Sequence, residues 1–186
     1  MFKKYLLSLL LSVGLLSPAL AEDINPVVVM TTSAGVIELE LMPKQAPQTV
    51  ANFLRYVEND FFPGTIFHRV IDNFMIQGGG FSVDMERKDT LPPVSNESTN
   101  GLPNMRGTIA MARTNDPNSA TSQFFINLKN NDFLNAKGQR PGYAVFGKIV
   151  NGMDVLTQIG HVQTGKQGPY KDVPVEPIVI QSVVLK

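Results

Sequence analysis

Short apolar runs separated by turn residues dominate the chain beyond its first twenty or so residues. In the run GVIELEL, which begins at Gly35, apolar residues alternate with Glu38 and Glu40. This alternation predicts a strand with one buried face and one solvent-exposed face. The preceding run PVVVMTT ends just before Ser33 and Ala34, so the two runs together predict a β-hairpin.

Six further apolar segments bounded by turn residues raise the number of predicted strands to eight. They are Gly64–Ile71, Phe74–Gly80, Gly107–Arg113, Ser122–Leu128, Ala144–Val150 and Pro177–Leu185. The stretch Ser82–Arg106 is rich in proline and asparagine and shows little periodicity, so it predicts a long ordered loop. Loops of this length tend to be functional or mobile.

Two segments carry a helical period instead. In PQTVANFLRYVEND, residues 47–60, apolar side chains recur at i, i+3, i+4 and i+7 from Val50, and Pro47 suits a first helical turn. In NGMDVLTQIGHV, residues 151–162, the apolar side chains from Met153 onward line one side and Gly160 suits a helix stop.

Two helices cannot cover both faces of an eight-stranded sheet. Closing the sheet on itself buries one face and removes its edges. The pattern therefore predicts a mainly β fold, a barrel with two helices over its ends, although a sandwich also fits. The length suits a single domain with a substantial core.

The first 21 residues have the features of a secretory signal peptide. Lys3 and Lys4 precede the apolar run Tyr5–Leu16, and Ala19 and Ala21 form the small-residue cleavage pattern. An uncleaved anchor helix is disfavoured because twelve apolar residues are too few to span a bilayer. We therefore expect residues 22–186 to form one exported domain with no membrane anchor, in a periplasm or outside the cell.

Composition excludes several classes of function. The chain has 16 basic and 16 acidic side chains, and removal of Lys3 and Lys4 with the signal peptide leaves 14 basic against 16 acidic. The mature domain therefore has no excess of positive charge that would favour binding to nucleic acid or anionic lipid. The absence of cysteine excludes disulfides, a thiol nucleophile and thiolate metal ligands. The two histidines, His68 and His161, show no metal-ligand spacing, and no GxSxG nucleophile motif occurs.

The segment FHRVIDNFMIQGGGF, Phe67 to Phe81, places a histidine and an arginine among large apolar residues. His68 is interpreted as a hydrogen-bonded core histidine. Arg69 by itself is most simply a surface or ion-paired arginine. Asp72 and Asn73 suit a tight turn. A strict two-residue hairpin here would put Arg69 and Phe74 on one face of the sheet, and Met75 and Gln77 on the other. A β-bulge or strong coiling of the barrel would instead bring all four to one side.

Three long motifs nevertheless resemble the signatures of the cyclophilins, a family of peptidyl-prolyl cis-trans isomerases. They are FHRVIDNFMIQGGGF, GTIAMARTNDPNSATSQFFINL and YAVFGKIVNGMDVL, and their order and spacing also resemble the family's. The likeness extends over essentially the whole of residues 22–186, in particular to the exported, periplasmic cyclophilins of Gram-negative bacteria. It implies a closed eight-stranded antiparallel β-barrel with two capping helices. It also implies a cofactor-free monomeric enzyme that acts on proline-containing polypeptides of exported, folding proteins.

The resemblance assigns the catalytic role to Arg69. It assigns the proline pocket to Phe74, Met75, Phe125 and Leu134, and the two amides that anchor the substrate to Gln77 and Gln123. It assigns the walls of the peptide groove to Ala112, Arg113 and Thr114. Two further substrate-binding positions, where the family often has tryptophan and histidine, are Phe133 and Tyr143 here.

Two departures from the family pattern alter what is expected of the groove. Phe133 lacks the indole N–H of the frequent tryptophan, which predicts weak binding of cyclosporin. Arg113 adds a cation to the groove wall. A peptide-binding holdase chaperone, using the same groove without catalysis, is the alternative function; it would not need a donor at Arg69.

Overall fold

The computed structural model describes residues 25–186, so the predicted signal peptide lies outside the described residues. The strands are β1 Val27–Thr32, β2 Gly35–Leu41, β3 Thr65–Ile71, β4 Met75–Ser82, β5 Thr108–Met111, β6 Phe124–Asn127, β7 Val145–Asn151, β8 Thr164–Gln167, β9 Tyr170–Pro174 and β10 Ile180–Leu185. The α-helices are α1 Pro47–Glu58 and α2 Met153–Gly160, and Asp132–Leu134 forms one 3-10 turn. All eight predicted strands and both predicted helices are present, whereas the hairpin β8–β9 was not predicted.

Eight strands form one antiparallel sheet in the order β10-β1-β2-β7-β5-β6-β4-β3. The sheet closes between β3 and the start of β10 through a short seam. There the Gly64 N–H donates to the Ile180 carbonyl at 2.9 Å, and the Phe67 N–H donates to the Ile178 carbonyl at 3.0 Å. The fold is therefore a nearly closed barrel and not a sandwich.

The barrel interior is filled by the apolar faces that the periodicity predicts. Ile37, Leu39 and Leu41 of β2 are fully buried, while the intervening glutamates are not. Helix α1 covers one end, where the Phe53 ring lies 5.9 Å from the ring of Phe124. Each large side chain buried in this way stabilises the fold by about 1.5–3 kcal/mol.

The long loop 82–106 is tied to the barrel at several points. Glu97 accepts hydrogen bonds from the backbone N–H groups of Gln48 and Thr49, at 3.1 and 2.8 Å, in the first turn of α1. A carboxylate at a helix N-terminus meets the positive end of the helix dipole. Further along the loop, the Val94 N–H donates to the Ala120 carbonyl at 2.9 Å. The loop is therefore a fixed part of the wall around the barrel.

Within residues 25–186, neither helix has the length and apolar character needed to cross a membrane.

Candidate active site

The connection between β3 and β4 decides which side chains share a face. Ile71 pairs with Met75 and Arg69 pairs with Gln77, so three residues and not two connect the strands. Asn73 takes a positive φ of 52° in this turn. Directly paired residues of antiparallel strands point to the same side, so Arg69, Met75 and Gln77 lie together. The three-residue connection puts these side chains on one face, which a strict two-residue hairpin would not do.

The residues that the structure brings together line a cavity of about 140 Å³. Its lining is Arg69, Phe74, Met75, Gln77, Ala112, Arg113, Phe125, Leu134 and Tyr143, all of which were predicted site residues. Met75 and Phe125 are almost fully buried and form the floor with Ala110 and Val145. The cavity is therefore an apolar pocket with two guanidinium groups, those of Arg69 and Arg113, and the amide of Gln77 in its lining.

Phe133 lies at the rim of this pocket. Its side chain is 60% exposed, and its ring stacks on Phe74 with the centroids 5.6 Å apart. Phe133 thus extends the apolar surface of the pocket outward.

A second, more polar cavity of about 200 Å³ adjoins the first one. It takes in the predicted residues Thr114 and Gln123, together with Arg87, Ser119 and Thr121, which the sequence analysis did not single out. The two cavities share Gln77, Ala112 and Arg113 and therefore form one continuous groove.

The two predicted amides are in direct contact. Gln77 Nε2 donates to Gln123 Oε1 at 3.0 Å, which orients both side chains. A Cβ atom at Gly80 would lie only 2.4 Å from Gln123 Cγ, so any side chain at this position would displace Gln123. The pair presents hydrogen-bonding groups to anything bound along the groove.

Arg113 is held against the groove wall. Its guanidinium lies 4.6 Å from the centroid of the Tyr143 ring. Its Nε donates to the Gly142 carbonyl and its Nη2 to the Pro141 carbonyl, each at 3.1 Å. The added cation therefore braces the segment that carries Tyr143, one wall of the pocket.

An asparagine network supports the pocket from behind. Asn131 Nδ2 donates to the Phe74 carbonyl at 2.9 Å and to Asn127 Oδ1 at 2.8 Å. Asn127 Nδ2 in turn donates to Asn104 Oδ1 at 3.2 Å. These fully buried amides fix the backbone position of Phe74. None of the three was predicted, because single asparagines in loops or at the end of a strand carry no periodic signal.

Arg69 itself is half-buried. Its Nε lies 3.8 Å from Asp172 Oδ2. Arg69 is therefore an ion-paired arginine and at the same time a residue of the groove.

Its neighbour His68 is buried, as predicted, with its ring 4.6 Å from the ring of Phe81. The predicted hydrogen bonding is not met at Nδ1, which has no hydrogen-bond partner within residues 25–186. Burial, reinforced by the charges of Arg69 and Arg87, lowers the pKa of His68 to about 4. His68 is therefore a neutral imidazole at pH 7.

The groove thus combines an apolar pocket, a permanently charged donor and two oriented amides. Among residues 25–186, no group of three or more histidine, aspartate or glutamate side chains is arranged to hold a metal ion. The arrangement suits binding of an extended peptide with an apolar ring in the pocket and hydrogen bonds from Arg69 and Gln77.

Comparison with known proteins gives a consistent result. The family model described as "Cyclophilin type peptidyl-prolyl cis-trans isomerase/CLD" matches residues 27–185. The chain is 59% identical to peptidyl-prolyl cis-trans isomerase A of Dickeya dadantii, over 92% of this chain and 90% of that protein. It is 52% identical to peptidyl-prolyl cis-trans isomerase B of Escherichia coli, over 83% of this chain and 96% of that protein.

The fold is similar to that of a Cryptosporidium parvum cyclophilin-type isomerase solved in the presence of the dipeptide Ala-Pro. The TM-score is 0.72 and the sequence identity 28%, over 86% of this chain and 98% of that one. The family match covers nearly the whole of the described chain, and the fold agrees with it. This chain therefore belongs to the cyclophilin-type peptidyl-prolyl cis-trans isomerase family.

Proposed function

We propose that the groove around Arg69 catalyses the cis–trans isomerisation of X–Pro peptide bonds. The observation that carries the proposal is the position of Arg69 and Gln77 at the edge of an apolar pocket that suits a proline ring. Family membership supports the same activity.

The reaction has a barrier of ~18–20 kcal/mol because the amide must lose its resonance as it twists. In the twisted state the proline nitrogen becomes pyramidal and gains a lone pair that accepts a hydrogen bond. The planar ground state has no such acceptor. A donor placed at this point stabilises the transition state alone, which is the condition for raising kcat.

Arg69 suits this role in three respects. A guanidinium is always charged, and its planar fork reaches two acceptors at once, here the proline nitrogen and a neighbouring carbonyl. The apolar walls formed by Phe74, Met75 and Phe125 exclude water and strengthen such a bond. An acceleration of ~10⁵-fold requires about 7 kcal/mol of differential binding.

Gln77 and Gln123 serve to hold the peptide. Their mutual hydrogen bond fixes both amides at the side of the groove. One half of the substrate is then anchored while the other rotates about the X–Pro bond. The reaction needs no proton transfer, nucleophile or cofactor.

The biological role that we propose is catalysis of proline-limited folding of exported proteins in the periplasm. The signal-peptide pattern of residues 1–21 supports export. Uncatalysed isomerisation takes tens of seconds or longer, which makes such an activity useful to a newly exported chain. If deletion left the refolding of proline-limited exported proteins unchanged while one specific client was lost, this general role would be wrong.

Magnetisation-exchange NMR on a short Ala-Pro peptide tests the activity and the role of Arg69 together. We expect fast cis–trans exchange with the wild type and a loss of at least about a hundredfold with Arg69→Ala, the scale of a lost transition-state donor. The matched control is Arg55→Ala, an exposed arginine on α1 outside the groove, which should exchange like the wild type. No acceleration by folded wild-type protein would contradict the proposal.

The same variant separates catalysis from the holdase alternative. The exposed rim residue Phe133 and the apolar pocket suit peptide binding with or without catalysis. A holdase has no need of the Arg69 donor, so aggregation suppression should survive in Arg69→Ala while exchange is lost. Full in-cell function of Arg69→Ala would favour the holdase role.

A further inference from the structure

The hairpin β8–β9, which the sequence analysis did not predict, packs beside Arg69. Its residues Pro169 to Asp172 line a cavity of about 330 Å³ together with His68 and Arg69. The Tyr170 ring anchors the hairpin by an edge contact with Phe81, at a centroid distance of 5.2 Å. Val173 is buried, so the hairpin is packed onto the barrel and its position relative to β3 is fixed.

Asp172 has an unusual backbone conformation in this hairpin. Its φ is 61°, in the left-handed region where residues other than glycine are uncommon, although aspartate and asparagine tolerate it. Such conformations persist only where the surrounding structure determines them, and they cluster at functional sites. In this conformation the Asp172 carboxylate reaches Arg69, with Oδ2 3.8 Å from Nε.

We propose that Asp172 is a positioning residue for Arg69, an inference that rests on the proposed function of the groove. The carboxylate lies at the Nε edge of the guanidinium. The two terminal nitrogens, which carry four of the five guanidinium donors, are thereby left for the substrate. A long, half-exposed arginine side chain samples many rotamers, and holding it beforehand lowers the entropy lost when the transition state forms.

The geometry limits the size of the effect. The side chains of Arg69 and Asp172 are 42% and 44% exposed, so solvent and salt screen their attraction. Exposed ion pairs contribute modestly, and we expect Asp172→Asn to lower kcat about two- to fivefold with little change in KM. The loss falls on kcat because Asp172 acts on the donor and is not among the residues that line the groove.

Three variants separate this role from a structural one. Asp172→Asn keeps the shape and the tolerance for positive φ but removes the charge. Asp172→Gly removes the side chain and any backbone strain. The matched control is Asp60→Asn, another exposed aspartate at positive φ, 52°, outside the groove.

The readout is the kcat for exchange of an uncharged, blocked Ala-Pro peptide at low salt and at about 1 M NaCl, where the Debye length falls to about 3 Å. Raising the salt concentration should lower the kcat of the wild type and of Asp60→Asn. We expect this decrease to be about two- to fivefold larger than in the two Asp172 variants, because they lack the ion pair. The Arg69 Nε–Hε NMR signal should shift in Asp172→Asn and with salt in the wild type, but not in Asp60→Asn.

The outcomes are distinguishable from failure of the proposed function. The role of Asp172 would be wrong if Asp172→Asn had the same kcat and the same salt response as the wild type, and if the Arg69 NMR signal did not shift. That result would not contradict the isomerase activity. If the wild type itself did not accelerate exchange, the proposed function would fail. The Arg69 signal would then still decide whether Asp172 holds the guanidinium.

Discussion

At the residue scale, His68 couples the stability of the fold to pH. In the unfolded chain its pKa is 6.5, whereas burial and the neighbouring arginines lower it to about 4 in the folded protein. Between these two values the unfolded chain binds a proton that the folded protein does not. The contribution of neutral His68 to the free energy of unfolding is therefore fully present above pH 6.5. It is lost progressively as the pH falls toward 4.

This difference gives a prediction for equilibrium unfolding in urea. From pH 7.5 to pH 4.5, the titration of His68 should lower the free energy of unfolding of the wild type by about 2–3 kcal/mol. His68→Gln cannot be protonated, so its loss over this range should be smaller by that amount. The control Lys166→Gln changes an exposed residue of β8, retains both histidines and should lose as much as the wild type. Equal pH dependence of His68→Gln and the wild type would show that the imidazole is not held neutral.

A second prediction at the residue scale concerns the rim of the pocket. Phe133→Trp restores an indole N–H donor at a position that is 60% exposed and can accept a larger ring. We expect cyclosporin to bind this variant about tenfold more tightly than the wild type, the value of one added hydrogen bond. The wild type and Phe133→Tyr contain no tryptophan, so isothermal titration calorimetry is used to measure the affinity of all three proteins. Phe133→Tyr is the control, and equal affinities of all three proteins would show that the donor does not matter.

Some residues of the site could be predicted and others could not. Arg69, Gln77 and the apolar lining lie in motifs that carry a family resemblance, and the structure brings them to one groove. Asp172 lies in β9, a short strand whose sequence shows no apolar alternation. Its approach to Arg69 depends on a hairpin packing that no local pattern encodes.

At the scale of elements, Glu97 joins the long loop to α1. It accepts the Gln48 and Thr49 N–H groups and also the Thr49 hydroxyl, at 2.7 Å. Helix α1 has no side-chain cap of its own at residue 46, so Glu97 supplies the missing acceptors from 48 or more residues away.

We therefore expect Glu97→Ala to lower the free energy of unfolding by about 2 kcal/mol, the upper range for loss of a helix cap. Urea denaturation checks this value. The control Glu176→Ala removes an exposed glutamate and should change stability by less than about 0.5 kcal/mol. Isomerase activity at low temperature should be retained, because Glu97 does not line the groove. An unchanged stability of Glu97→Ala would mean that water caps the helix equally well.

The elements also show where sequence patterns are insufficient. Strand alternation placed β2 correctly because half of its side chains are buried. Every residue of β8 is exposed, so there was no apolar face to detect. The β3–β4 turn was assigned two residues because Asp72 and Asn73 both suit a turn. Whether Phe74 joins the turn or the strand depends on pairing across the sheet.

At the scale of the whole molecule, the signal peptide remains a prediction. We expect a protein recovered from the periplasm to begin at residue 22, and intact-mass spectrometry measures this directly. Ala21→Pro, which disfavours signal cleavage, is a variant that should leave the leader attached. A periplasmic product that retains residues 1–21 would show that the leader acts as an anchor.

The pairing of the first strand with the last has a consequence for how the molecule is made. Val28 pairs with Leu185, and the Lys186 N–H donates to the Val27 carbonyl at 2.8 Å. During synthesis or passage through a translocon, one edge of β1 therefore has no neighbour until β10 has emerged. The barrel cannot close before then, so a chain threaded N-terminus first remains extensible until β10 is free to pair with β1. An exported chain of this topology would complete its folding only after β10 had crossed the membrane.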